Sequence, residues 1–276
     1  MIVLDMDPGI DDAIALIIAL RASDVRAVST VCGNVDVIQA SRNALKIIRY
    51  LGYDMPVYIG ASKPLKREPL YAKDIHGSDG LGDIKLDDIK EDALPIKDIY
   101  KADAVIATGP LTNIANSIDR LDARLYIMGG IYNNKQIGNV TNDAEFNFYV
   151  DPEAADIVLN NTILTACGLD LTTNRLCAID NDMLDKIYNI NNKYARLIYR
   201  LLRYPLKKFK YFNIHDLFAL FSYLEPDMFE KKRFNVRIDP DNRGKCIVEE
   251  DKDGNVDACI DVDHEAFNKL FLELIR

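Results

Sequence analysis

Short apolar runs alternate with helix-period stretches through the first two thirds of the sequence, and no other feature limits the fold as much. A chain that alternates strand and helix in this way builds a parallel sheet with helices on both faces. Strands are predicted at 2–4, 25–31, 56–59, 104–107, 125–128 and 163–166. Helices are predicted at 13–22, 41–51, from 111 onward and at 152–160, where apolar residues recur at helical spacing. Further helical patterns occupy 181–203 and 215–223, and a last helix covers 264–275. Between them, 246–249 and 256–260 flank a DKDGN turn, which predicts a hairpin. Residues 61–100 are polar and irregular, and a loop of that length in a compact domain usually carries function. No repeat, low-complexity tract or linker interrupts the chain. Residues 1–276 therefore read as one α/β domain, a mostly parallel central sheet flanked by helices with a small C-terminal β-hairpin.

With 49% hydrophobic residues the chain can bury a sizeable core. No segment approaches the roughly 18 apolar residues of a membrane helix. The apolar N-terminal stretch is interrupted by Asp5, Asp7, Asp11 and Asp12 and has no basic leader, so it reads as neither signal peptide nor anchor. A cytoplasmic protein with no membrane partner is expected. The net charge of −9 argues against nucleic acid as a partner. Cys32, Cys167, Cys177, Cys246 and Cys259 are odd in number and form no CxxC pair, which favours reduced structural thiols over disulfides or zinc.

The densest chemical signal is D-x-D-P-G-x-D-D, with Asp5, Asp7, Asp11 and Asp12 in eight residues. Carboxylates this close repel one another unless a cation or hydrogen-bond donors offset them. They sit where the first strand ends, the place where open sheets bind ligands. Hard oxygen donors select Ca²⁺ or Mg²⁺ over zinc. The plainer reading is a solvated turn in which Asp11 or Asp12 caps the next helix. A bare DxD would favour that turn, whereas the density of this cluster favours a metal site.

This segment resembles the N-terminal signature of the inosine-uridine-preferring nucleoside hydrolase family. VCGN at 31–34, HGSDGLGD from His76, ATGPLTNIA at 107–115, MGG at 128–130, GN at 138–139, AEFN at 144–147, VDPEAA at 150–155 and the pair His215-Asp216 follow in the family's order, spanning residues 1 to about 226. The resemblance implies calcium-dependent hydrolysis of the N-glycosidic bond of ribonucleosides, giving free base and ribose. It implies that Asp7, Asp12 and Asp216 bind Ca²⁺ through carboxylates, with the backbone carbonyl of Thr108 completing the protein ligands. Asp7 would be the general base for a metal-held water, and Asp11 would bond the ribose 2′-hydroxyl. Asn34, Asn139, Glu145, Asn147 and the main chain at Met128 would hold the remaining hydroxyls. Positive charge builds on the ribose ring in such reactions, and the departing base needs a proton. His215 would supply it and His76 would contact the base. Tyr204, Tyr211 and Phe212 are candidates for stacking on the base. The family likeness also implies a homodimer or homotetramer.

Three stretches depart from the family's usual lengths: ALPIKDIYKAD at 93–103, the compact span from 113 to 128, and RYPLKKFKYFN at 203–213. The last leaves purine or pyrimidine preference open. Two other functions compete. One is a haloacid dehalogenase-type DxD phosphatase using Mg²⁺, with Asp5 or Asp7 as nucleophile. The Asp11-Asp12 pair and the lack of Thr or Val after the DxD oppose it. The other is a calcium- or nucleoside-binding module without catalysis, opposed by the joint presence of Asp7, Asp11, His215 and Asp216.

Overall fold

A computed structural model describes residues 1–133 and 137–276. Its strands are β1 (Ile2–Met6), β2 (Val25–Thr30), β3 (Val57–Ile59), β4 (Leu94–Pro95), β5 (Lys101–Ala107), β6 (Asp122–Met128), β7 (Leu164–Cys167), β8 (Phe229–Ile238), β9 (Cys246–Glu250) and β10 (Val256–Val262). They join in one sheet, in the order β4-β3-β2-β1-β5-β6-β7-β10-β8-β9. Every pairing from β4 across to β10 is parallel, and β8 is antiparallel to both of its neighbours. Strand β1 is buried at all five positions, as a central strand covered on both faces must be.

The helices are α1 (Ile10–Ala22), α2 (Val37–Tyr50), α3 (Lys73–His76), α4 (Thr112–Asn116), α5 (Phe146–Val150), α6 (Pro152–Asn161), α7 (Leu169–Thr172), α8 (Asn181–Tyr188), α9 (Lys193–Leu206), α10 (His215–Leu224) and α11 (His264–Leu274). Helix α1 is buried without a break from Ile10 to Leu20, because α2, α9, α10 and α11 surround it. That explains a helix apolar all round. Phe218 and Phe221 of α10 are fully buried against Phe267 of α11, with ring centroids at 4.5 and 4.9 Å. Each such ring contributes about 1.5–3 kcal/mol on burial. On the opposite face α4 and α6 cover the sheet through Ile114, Ala154, Val158 and Leu159. No helix among the described residues is long and apolar enough to cross a membrane.

The single helical pattern at 181–203 is two helices. Asn192 breaks it, its side chain accepting from the Tyr194 and Ala195 N–H groups to cap α9. The region 61–100 is mostly irregular, as expected, but contains α3 and β4. At the C-terminal end the predicted hairpin has other strands. β9 pairs with β8, and β10 reaches past both to lie between β7 and β8. DKDGN is therefore a crossing connection rather than a hairpin turn. Strand β8 escaped the sequence reading because FEKKRFN is charged. Those charges are met across the sheet, by Lys232 with Glu250 on β9 and Arg233 with Asp257 on β10. All five cysteines are free.

Candidate active site

Strands β1, β2, β5 and β6 end on one side of the sheet, and the segments that follow them surround a cleft of about 450 Å³. The turn after β1 and the first turn of α1 bring Asp7, Asp11 and Asp12. Asn34 follows β2, Thr108 follows β5, and Met128 ends β6. Glu145 and Asn147 lie at the start of α5, His215 and Asp216 at the start of α10, and the long loop delivers His76. Ten of the twelve expected site residues line this cleft, with Asn139 exposed at its rim. The other two, Asp7 and Asp12, are fully buried, and their carboxylates adjoin those of Asp11 and Asp216.

The carboxylates divide by what satisfies them. Asp12 Oδ1 accepts from the Thr108 hydroxyl at 2.7 Å and the Asp7 N–H at 3.3 Å. Its Oδ2 accepts from the Gly9 N–H and the Asn34 amide, both at 3.0 Å. Asp7 Oδ2 accepts from the Asn34 N–H at 2.6 Å. Asp7 Oδ1 and Asp11 Oδ1 are buried with no hydrogen-bond partner among the described residues. Among the described residues, no lysine or arginine lines the cleft. Asp11, Asp12 and Asp216 each offer an oxygen within 4.8 Å of the others. This converging triple contains Asp11, which the resemblance gave to the ribose, and omits Asp7, which it gave to the metal. Burial, reinforced by neighbouring negative charge, pushes Asp11 up to about 8 and holds Asp7 and Asp216 well above the carboxylate range. Crowded, unpartnered, hard oxygen donors fit a divalent cation such as Ca²⁺.

Two glycines make room for Asp7. A Cβ on Gly33 would lie 1.9 Å from Asp7 Oδ2, and one on Gly109 would lie 2.8 Å from Asp7 Oδ1. Both are visible in the sequence, within VCGN and TGP, but their purpose is spatial. Asp5 points elsewhere. The Tyr100 hydroxyl at 2.6 Å and the Asn113 amide at 3.1 Å donate to it, and burial pushes it up to about 7. That engagement removes Asp5 as the nucleophile of a DxD phosphatase.

These shifts give the metal-free protein a definite pH dependence. Asp5, Asp11 and Glu145, pushed up by burial to about 7, 8 and 7, take up protons in the folded state between pH 8 and 6.5. Unfolded carboxylates stay ionised until pH nears about 4. The folded state binds more protons in this window, so stability rises as pH falls. Buried His76 and His215, lowered to about 3 and 4, act oppositely, but unfolded imidazoles are only half charged at about 6.5, so within this window they offset only part of the carboxylate effect. Metal-free protein should therefore have a higher Tm at pH 6.5 than at pH 8. A flat or opposite profile in thermal unfolding would contradict a set of buried, unbalanced carboxylates.

On the far wall, Glu145 accepts from the N–H groups of Asn147 (2.8 Å), Phe148 (3.1 Å) and Gly130 (3.0 Å) and so caps α5. The Asn147 amide donates to the carbonyls of Thr108 at 2.7 Å and Met128 at 3.1 Å, tying the ends of β5 and β6 together. His76 Nδ1 accepts from the Ile10 N–H at 3.1 Å, which places its proton on Nε2. Its 3.7 Å approach to Asp11 is thus no ion pair. His215 Nδ1 meets the Thr172 hydroxyl at 2.8 Å. Of the three aromatic candidates only Phe212 lines the cleft. Tyr204 packs on Gly82, and Tyr211 lies under the Arg175 guanidinium. Tyr71 lines the cleft and was missed, as was Thr172, because neither lies in a recognisable pattern.

The sequence model of the family described as inosine-uridine preferring nucleoside hydrolase matches residues 2–269. A pyrimidine-specific ribonucleoside hydrolase, RihA, from Photobacterium profundum is 35% identical over 307 aligned positions, covering 99% of this chain and 97% of its own. Uridine nucleosidase 1 of Arabidopsis thaliana is 33% identical, covering 89% of this chain and 80% of that protein. A solved purine-preferring ribonucleoside hydrolase from Gardnerella vaginalis superposes with a TM-score of 0.90 at 25% identity, covering 99% of this chain and 97% of that one.

Proposed function

The chain belongs to the inosine-uridine preferring nucleoside hydrolase family and is a ribonucleoside hydrolase, and from that premise we propose a calcium-dependent reaction with Asp7 and His215 as its proton-transfer groups. The observation that carries this reading is the buried acidic set with unpartnered oxygens on Asp7 and Asp11, in a cleft where no lysine or arginine lines the wall among the described residues. Asp7, Asp12, Asp216 and the Thr108 carbonyl would hold the ion. When bound, Ca²⁺ neutralises these carboxylates, grips ribose hydroxyls and acidifies a coordinated water.

The remaining work falls to the chain. Asp7, its charge held by the ion, accepts a proton from the attacking water. The hydroxyl bonds to the anomeric carbon, the carbon–nitrogen bond breaks, and its electron pair leaves with the base. Anionic side chains around the sugar stabilise the positive charge that builds on the ring. Asp11, Asn34, Asn139, Glu145, Asn147 and the main chain at Met128 position the ribose. His215 gives the proton that the departing base requires, and His76 contacts the base. A homodimer or homotetramer in the cytoplasm completes the reading, its size to be measured by light scattering.

The test follows product and metal together. Uridine, cytidine, inosine, adenosine and guanosine are supplied in phosphate buffer, and the product should be ribose. Ribose 1-phosphate as main product would overturn hydrolysis. Dialysis against EDTA should remove activity and Ca²⁺ should restore it, whereas full turnover by metal-free protein would sink the calcium reading.

A further inference from the structure

The protein as a whole carries a net charge of −9, yet one face of α9 and its end is cationic. Lys193, Arg196, Arg200, Arg203 and Lys207 recur at intervals of three and four, which stacks them along one side of the helix. Where this stripe meets the segment after the His76 loop, Lys85, Arg200, Arg203 and Lys207 surround a hollow of about 370 Å³. None of these four forms an ion pair with a carboxylate among the described residues. Asp83, the acidic residue in the lining, is already engaged, its Oδ1 accepting from the Ser78 N–H at 2.9 Å and hydroxyl at 2.6 Å. Like charges at such spacing destabilise a helix unless an anion lies among them.

We propose that this hollow is a binding site for a phosphomonoester, the chemistry shared by inorganic phosphate and the 5′-phosphate of a nucleotide. Guanidinium forks match phosphate oxygens two at a time, and the two lysines add point charge. The hollow has the size of a small phosphorylated molecule. It is joined to the catalytic cleft by a short, tightly turned segment. The Gly82 N–H donates to the His76 carbonyl at 2.7 Å. Gly77, Gly80, Gly82 and the non-glycine Asp83 have φ of 87°, 83°, 67° and 56°. A ligand drawn against Lys85 therefore acts on the loop that carries His76. This coupling rests on the nucleoside hydrolase reading, whereas the binding does not.

Binding is read by calorimetry at low salt on metal-loaded protein freed of excess ion, with inorganic phosphate and uridine 5′-monophosphate as separate probes. Both should bind. The Arg203→Gln/Lys207→Gln double variant should raise Kd at least about tenfold, since each hydrogen bond between charged partners is worth a decade or more. Ribose release from saturating uridine, without phosphate, should be the same in both proteins. Equal affinity in variant and wild type overturns the site, as does absence of binding at millimolar probe. Displacement of the monophosphate by ribose does so too, by placing it in the catalytic cleft. A ten-nucleotide RNA that binds more tightly than the monophosphate, and loses that binding in the variant, replaces the small ligand by nucleic acid. Phosphate should shift KM for uridine in wild type and not in the variant, and no shift in either overturns the coupling while leaving the binding result to stand or fall by itself.

Discussion

Replacing Asp12 by Ala is expected to abolish calcium binding and ribose release together. Asp12 is the most heavily bonded of the acidic residues, with four donors on its two oxygens from Asp7, Gly9, Asn34 and Thr108. It also faces Asp11 and Asp216 across the converging triple. Groups outside a coordination sphere typically alter metal affinity by about 10–100-fold, so removing a carboxylate from within it should exceed the upper figure. Isothermal calorimetry with Ca²⁺ reads this directly, and one tightly held ion in the variant would refute the ligand assignment. The truncation also strands buried donors, each costing about 1–3 kcal/mol, so a loss of fold has to be separated from a loss of metal. Asp12→Asn separates them. It keeps the shape and one acceptor oxygen but lacks the charge, so it should lose less stability than Asp12→Ala, remain folded at assay temperature and still fail to hold calcium.

Replacing His215 by Ala should divide substrates by their leaving groups. Inosine and uridine have poor ones, so kcat on them should fall by about 10²–10⁴-fold, the range general acid assistance supplies, or roughly 3–5 kcal/mol of barrier. A nitrophenyl riboside releases a stable anion and should lose little. The side chain is placed for this task at the first position of α10, Nδ1 on the Thr172 hydroxyl, and Nε2 left to face a ligand. Burial lowers its pKa to about 4, so the resting imidazole is neutral at pH 7, and the acid role requires that it gain a proton once substrate is bound. The rival role is support of its neighbour Asp216. In that case both substrates lose activity in parallel and calcium affinity drops with them.

Much of this site was legible because its chemistry is local in sequence. Asp7, Asp11 and Asp12 lie within one loop and turn, and Thr108, Glu145, Asn147 and His215 each sit in a motif with its own context. The parallel sheet followed from the alternation of strand and helix for the same reason. What escaped depends on distance through space. Strand β8 looks like a charged loop until Glu250 and Asp257 are seen beside Lys232 and Arg233. The hairpin was assigned to the wrong pair because turn residues record that a chain bends, not which strand it reaches. Phe212 faces the cleft while Tyr204 and Tyr211 do not, a difference of side-chain direction that a mixed stretch such as RYPLKKFKYFN does not encode. The membership of Asp11 in the converging triple is likewise geometric, since on sequence alone it is the equal of Asp12.

The place of β10 has a consequence for how the protein is made. Of the ten strands it leaves the ribosome last, yet it occupies the third position from one margin of the sheet, between β7 and β8. Until residues 256–262 emerge, β7 presents a bare row of N–H and C=O groups, and the β8–β9 ribbon has nothing to join. Unpaired strand edges recruit other chains, and nascent proteins of this size are most exposed to that hazard while still incomplete. The catalytic strands β1, β5 and β6 can associate earlier, on the other side of this gap. Assembly of the sheet thus ends with the closing of a seam, and chains stalled just short of it would carry an assembled core beside an adhesive margin.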